Sequence, residues 1–474
     1  MIVVERWSSH IGFILASVGA AVGLGNIWRF SSVLGQNGGG AYLIPYCIAV
    51  FVFVLPLMVL EITMGRRFRG TVVSAFGAVR PGLRVIGWLF CAVSFLILAY
   101  YLVITGWTLA YFLFSVTGSP VTFSMFTGSY EPVFFTLIAV LITGFIVSSG
   151  VREGIERLSV VMIPACILIL LIMAGYSAML PGFSAGMKYL FTPDFSVLLH
   201  AEIWLAAVGQ ALFSLSVGEG ILLTYGAYVA QEQDVRKAAF VITISDFSVA
   251  LLAGIVIFPV VFSNGLSPSA GSELAFTTLP VAFAVIPAGR ILATAFFSVL
   301  FFAAMTSAVS MLEVCVAAVD EVAGWTRRKS TFILTALLLP VSLLPALSYS
   351  AMHLTLDGIP LLDFMDETIG TLGLHIAAIL LAVTFTWFVP QSVFLAEIGA
   401  ASHLNRLIFI ICRYLVPAIL ILTVATELFT GVAFTSFTFV HAGRHISSLV
   451  QVEGVALFAF LVIAGCTVIG WTRR

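Results

Sequence analysis

The chain has 474 residues, of which 61% are hydrophobic and 9% charged, and its formal net charge is -1. Soluble domains carry about a quarter of charged residues, so this is read as a polytopic membrane protein, and it lacks the basic surface that nucleic acid requires. The six cysteines all lie in apolar stretches without zinc or disulfide spacing and read as small packing residues.

With about 20 apolar residues per bilayer crossing, twelve segments are predicted, near 10–34, 41–64, 86–114, 132–149, 158–180, 203–228, 238–262, 290–319, 332–348, 364–389, 406–429 and 450–471. The first is interrupted by Gly19, Gly23 and Gly25. Each glycine raises the cost of staying helical by about 1 kcal/mol relative to alanine. Freed backbone groups at bilayer depth persist only where they line a cavity or bind something. The stretch therefore reads as a binding site made of backbone, with Asn26 and Arg29 beside it.

Basic residues follow the even-numbered segments: Arg66, Arg67, Arg69, Arg80 and Arg84, then Arg152 and Arg157, Arg236 and Lys237, Arg327 to Lys329, Arg406, and Arg473 and Arg474. The opposite loops hold Lys188, Arg290 and Arg444, which places both termini in the cytoplasm of a cell (plasma or inner) membrane. The sixth segment has its own interruption, Ser214 to Gly220. If segments 1–5 and 6–10 are two halves, the breaks fall in corresponding helices, and an odd number of crossings inverts the second half. Paired broken helices in inverted repeats point to the midplane site of a secondary transporter. The expected organisation is a first repeat over 1–180, an extracellular loop over 181–202, a second repeat over 203–390 and peripheral helices 11 and 12 over 391–474. Short helices over an outer vestibule are expected in 181–202 and 263–289.

The run Gly19-Ala-Ala-Val-Gly-Leu-Gly-Asn-Ile-Trp-Arg-Phe30, followed by Asn37-Gly-Gly-Gly-Ala-Tyr-Leu-Ile-Pro-Tyr46, resembles the signature of the neurotransmitter:sodium symporter family. The resemblance continues through Glu61 to Arg66, Tyr100-Tyr101, Trp107-Thr108, Gly209-Gln210, Phe213 to Ser216 and Thr306-Ser307. It implies the leucine transporter fold: an all-α protein of twelve transmembrane helices with a 5+5 inverted repeat, helices 1 and 6 broken, and two peripheral helices. It further implies two sodium ions. One would be held by Gly19, Val22, Ala303, Thr306 and Ser307, the other by Ala21, Asn26, Ser214 and a residue of the seventh segment. The substrate carboxylate would meet the Leu24 and Gly25 amides, the latter sodium and the Tyr101 hydroxyl. Its amino group would meet Ala21, Phe213, Ser214 and Ser216. Ala20, Ile97, Phe213, Glu219, Ser307 and Met311 would surround the side chain. Gly23, where monoamine carriers have an aspartate, favours a solute that brings its own carboxylate. Arg29 and Asp366 resemble an outer gate, with Tyr101 and Phe213 as a lid, and Arg6, Trp7 and Glu321 are the candidate inner gate.

Several residues depart from the family pattern. Glu219 stands where the leucine carrier is apolar; it is read as recognising a polar or cationic side chain, with a protonated structural role or proton countertransport as alternatives. In the seventh segment Ser245 aligns with a sodium-binding asparagine, yet its neighbour Asp246 is preferred as ligand, and its fixed charge predicts transport without chloride. Glu61 is expected to cap amides of the broken helix. The sequence thus predicts a sodium-coupled symporter, not an enzyme, importing an amino acid or close derivative by alternating access. Its partners are that solute and the lipid bilayer. The rivals are a carrier of an osmolyte or polyamine on the same fold and a transport-inactive sensor.

Overall fold

The computed structural model describes residues 6–193, 195–268, 274–399 and 402–430. Among these, nine helices are long and apolar enough to cross a membrane, and a tenth crossing is the pair His10–Ala21 and Gly25–Gln36, bent by 52°. The sixth segment consists of two shorter helices, Ala201–Ser214 and Ile221–Ala227. Eleven of the twelve expected segments are therefore helical; the twelfth, 450–471, lies outside the described residues, as does most of the peripheral unit.

Helix ends overrun the apolar stretches. The third segment spans Pro81–Thr117 and the eighth Gly289–Ala323. Hydropathy measures the bilayer, whereas a helix continues into water until a residue can turn it. Gly118 and Gly324, at φ 75° and 65°, supply left-handed caps at these two ends. The two loops expected to carry short helices do so, with Phe183–Phe191 and Leu279–Val285. Phe276, just before the second of these, stands edge-on to Trp28 and Trp107 with ring centroids 5.2 and 5.6 Å away, which roofs the outer side of the first segment.

The two breaks are built differently. In the sixth segment Ser216, Gly218 and Gly220 have φ of 49°, 91° and 81°, a left-handed backbone that only glycine adopts freely. Glu61 of the second segment holds this turn as expected, accepting from the Gly218 amide at 3.1 Å and the Leu223 amide at 3.4 Å. In the first segment none of the three glycines has positive φ, and Gly19 remains inside the helix His10–Ala21. Chain direction changes at Val22, whose ψ is 94°. Here glycine supplies space: a Cβ on Gly23 would sit 2.7 Å from Ser307 Oγ and 2.8 Å from Tyr101 Oη. The break expected in the first segment is present at Val22 and Gly23, and Gly23 adds room there for the close approach of the third and eighth segments.

Candidate ion and solute site

The eighth segment turns Thr306 and Ser307 toward the break in the first. Ser307 Oγ lies 3.3 Å from the Gly19 carbonyl, 3.1 Å from that of Ala20 and 3.3 Å from that of Ala303. Thr306 Oγ1 lies 2.9 Å from the Ala303 carbonyl and 3.2 Å from that of Phe302. One hydroxyl proton cannot serve three carbonyls. The Ala20 and Ala303 carbonyls each have a second donor, Ser216 Oγ of the sixth segment at 3.0 Å and Thr306 Oγ1 at 2.9 Å, which leaves the Gly19 carbonyl to Ser307. An excess of buried oxygen over available protons is the environment a hard cation satisfies. The structure brings together Gly19, Ala303, Thr306 and Ser307 of the expected set, and Val22 follows at the bend, where its own amide bonds back to Val18 at 2.6 Å.

A second polar cluster lies on the opposite side of the break. Asn26 Nδ2 donates to Asp246 Oδ1 at 2.6 Å and to Ser214 Oγ at 2.9 Å, while its Oδ1 accepts from the Gly23 amide at 3.0 Å. Ser214 Oγ in turn donates to Asp246 Oδ2 at 3.0 Å, and Tyr46 Oη approaches it at 3.4 Å. Asp246 is fully buried, whereas Ser245 is partly exposed. A one-residue step turns a helical side chain by about 100°, so it is Asp246 that faces this cluster. Gln210 Nε2 closes the arrangement by donating to the Gly25 carbonyl at 2.8 Å. The first and sixth segments thereby hold one carboxylate of the seventh through Asn26 and Ser214.

Between the clusters lies a space lined by donors of carboxylate-binding character. The Leu24 amide donates to Tyr101 Oη at 3.3 Å, so a backbone N–H and a hydroxyl meet near the start of the outer half-helix, where the dipole favours negative charge. Ala20, Ala21, Ile97 and Met311 are buried around it. Above, Leu24, Gly25, Arg29, Tyr101, Phe213 and Asp366 line a narrow crevice. The Arg29 guanidinium lies 4.2 Å over the Phe213 ring, within the range of a cation–π contact. The expected gate residues thus share one crevice.

The inner side differs from the sequence reading. Among the described residues Arg6 and Glu321 form no ion pair. Glu321 instead accepts from the Thr71 amide at 3.0 Å and from the Ser74 hydroxyl, and the Arg6 carbonyl accepts from Arg152 at 3.0 Å. Trp7 does act at this end: its indole donates to the Tyr225 carbonyl at 3.1 Å and its ring packs against Tyr225 and Tyr228. The charge pair here is Glu313, on which Arg327 closes at 2.5 and 3.2 Å and Tyr228 Oη at 3.0 Å. A lone acid followed 14 residues later by an arginine cluster carries no helical signature; the pairing depends on the turn after Gly324.

Breaking a buried pair by removing one partner costs about 3–5 kcal/mol. Glu313→Ala is therefore expected to lower the thermal midpoint of the detergent-purified protein sharply, and Glu313→Leu combined with Arg327→Leu to recover much of the loss. Equal midpoints for wild type and Glu313→Ala, followed by fluorescence-detected size exclusion, would refute this.

A model described as the sodium:neurotransmitter symporter family matches residues 4–125 and 127–469. A sodium-dependent transporter of Bacillus subtilis (strain 168) is 34% identical over 434 residues, covering 88% of this chain and 96% of that protein. A sodium-dependent transporter of Methanocaldococcus jannaschii is 32% identical over 493 residues, with 97% and 99% covered. The crystal structure of MhsT in complex with L-phenylalanine is similar with a TM-score of 0.82 and 36% identity, covering 89% of this chain and 99% of MhsT.

Proposed function

Because the chain belongs to the sodium:neurotransmitter symporter family, a family of membrane transporters, we propose that it is a sodium-coupled symporter importing an amino acid by alternating access. The observation that carries this reading is the convergence of carbonyl and hydroxyl oxygen where Ser307 meets Gly19, Ala20 and Ala303, together with the cluster of Asn26, Ser214 and Asp246. Two sodium ions fit this arrangement. One would take Gly19, Val22, Ala303, Thr306 and Ser307; the other Ala21, Asn26, Ser214 and Asp246. A solute carboxylate seated at the Leu24 amide and Tyr101 would complete the latter. Shared ligation of that kind is a direct source of coupling free energy between ion and solute.

An amino acid is favoured because Gly23 offers no side-chain acid to an amine, and because MhsT, similar over nearly its whole length, was crystallised with L-phenylalanine. Segments 1, 2, 6 and 7 would rock against a scaffold of the others within the repeats over 1–180 and 203–390, with both termini in the cytoplasm. The Arg29, Phe213 and Asp366 crevice would close the outer side, and Trp7 with Tyr225 and Tyr228 the inner. Asp246 would supply the fixed negative charge that makes chloride unnecessary.

Uptake of radiolabelled amino acids into proteoliposomes tests the proposal. Accumulation is expected only under an inward sodium gradient and to the same extent when gluconate replaces chloride. Binding without accumulation would mark a sensor, and competition by a polyamine or osmolyte but by no amino acid would mark another carrier.

A further inference from the structure

Two carboxylates serve the break in the sixth segment, and their circumstances differ. Glu61 is satisfied, with its two oxygens on the Gly218 and Leu223 amides. Glu219, inside the break, is also buried, at 1% exposure, yet its Oε2 has no hydrogen-bond partner. Among the described residues no lysine, arginine or histidine forms an ion pair with it. Its backbone is firmly held: Ser94 Oγ donates to the Glu219 carbonyl at 2.5 Å, and the flanking Gly218 and Gly220 have left-handed φ. The turn is thus capped by Glu61 and pinned by Ser94 without any need for the Glu219 carboxyl group.

An unpartnered acid at this depth is costly, and glutamate here requires a reason other than folding. Its surroundings supply one. The Glu219 carboxylate is within electrostatic reach of Tyr101, whose hydroxyl meets the Leu24 amide, and of Tyr100. The neighbouring titratable group is another acid, Glu61, and not a base. Two buried acids at this break, one of them with an unused oxygen, offer an acceptor for a donor that arrives with the ligand. Resting on the amino-acid reading above, we infer that Glu219 selects amino acids whose side chain ends in an N–H donor, cationic or neutral, over those whose side chain is hydrocarbon. A site built to hydrogen-bond an N–H group rejects the analogue lacking it far more strongly than an apolar pocket rejects an added methylene, and bonds from cationic donors to carboxylate are the stronger kind.

The test is calorimetric titration of the full-length, detergent-purified protein with L-lysine, L-glutamine, L-tryptophan and L-leucine, in sodium and in choline. At least one of the three N–H-bearing amino acids is expected to bind about tenfold or more tighter than leucine in sodium. In Glu219→Gln, which keeps shape and hydrogen-bonding capacity, any lysine preference should be lost while glutamine or tryptophan still binds. In Glu219→Met the preference should fall to within about twofold of leucine or reverse, with binding still requiring sodium. Monodisperse elution of both variants guards against misfolding. Leucine binding as tightly as all three in the wild type, or one ranking shared by all three proteins, overturns the role of Glu219. Sodium-dependent binding of leucine in that case leaves the amino-acid reading standing; absence of binding by any amino acid in sodium overturns both.

Discussion

Replacing Asp246 by alanine should reduce sodium-driven uptake in chloride-free medium by about 100-fold or more, and added chloride should restore part of it. The reason is the donor set left behind. Asn26 Nδ2 and Ser214 Oγ both donate to this carboxylate, at 2.6 and 3.0 Å, and hydrogen bonds to charged groups contribute about 1.5–3 kcal/mol each. Losing two removes about 3 kcal/mol at the least, or roughly two decades of affinity at 1.4 kcal/mol per decade. A halide has the charge and size to accept from the same donors, with Tyr46 Oη close by at 3.4 Å from Ser214. Uptake rates in gluconate and chloride, for wild type and variant, decide the matter. Unchanged chloride-free transport by Asp246→Ala would refute the assignment.

Gly23→Ala is the second large effect expected, and it is steric. The added methyl would lie 2.7 Å from Ser307 Oγ and 2.8 Å from Tyr101 Oη, displacing the hydroxyl that meets the Leu24 amide and the one that bridges the Gly19, Ala20 and Ala303 carbonyls. Overpacking of this kind costs about 1–3 kcal/mol, so substrate affinity should fall by about 5- to 150-fold, with sodium affinity falling alongside it. Gly82→Ala is the control, since a Cβ there meets nothing within 4 Å, and its saturation binding should match the wild type. Equal affinities for Gly23→Ala and Gly82→Ala would show that the break tolerates a side chain.

Much of the fold follows from terms that the bilayer magnifies. Glycines and an arginine in an apolar run are conspicuous because the membrane penalises loose backbone and charge. Eleven helical segments and both breaks are therefore legible, and so is the partnership of Glu61 with the break of the sixth segment. What the sequence hides depends on rotation and on long-range packing. Ser245 and Asp246 are indistinguishable by composition, and only the fold shows that Asp246 is the buried one, facing Asn26 and Ser214. Glu321 has an arginine within the N-terminal approach for a partner by charge, yet the Thr71 amide and Ser74 hydroxyl reach it instead. Arg66 and Glu397, 331 residues apart, form a buried pair at 2.8 Å that no local pattern announces. Chain topology, not residue type, creates these contacts.

The Ser307 hydroxyl has one proton and three carbonyls within 3.1–3.3 Å. It cannot offer a lone pair to a cation while aiming its hydrogen into the same cluster. An ion arriving there would turn the hydroxyl about its Cβ–Oγ bond, and the hydrogen would swing away from the Gly19, Ala20 and Ala303 oxygens. The space where a Gly23 side chain would have stood adjoins that same oxygen, 2.7 Å away, and the Tyr101 hydroxyl, 2.8 Å away. A single rotor would then carry a message across the break, from the ion's oxygens to the Tyr101 hydroxyl that meets the Leu24 amide.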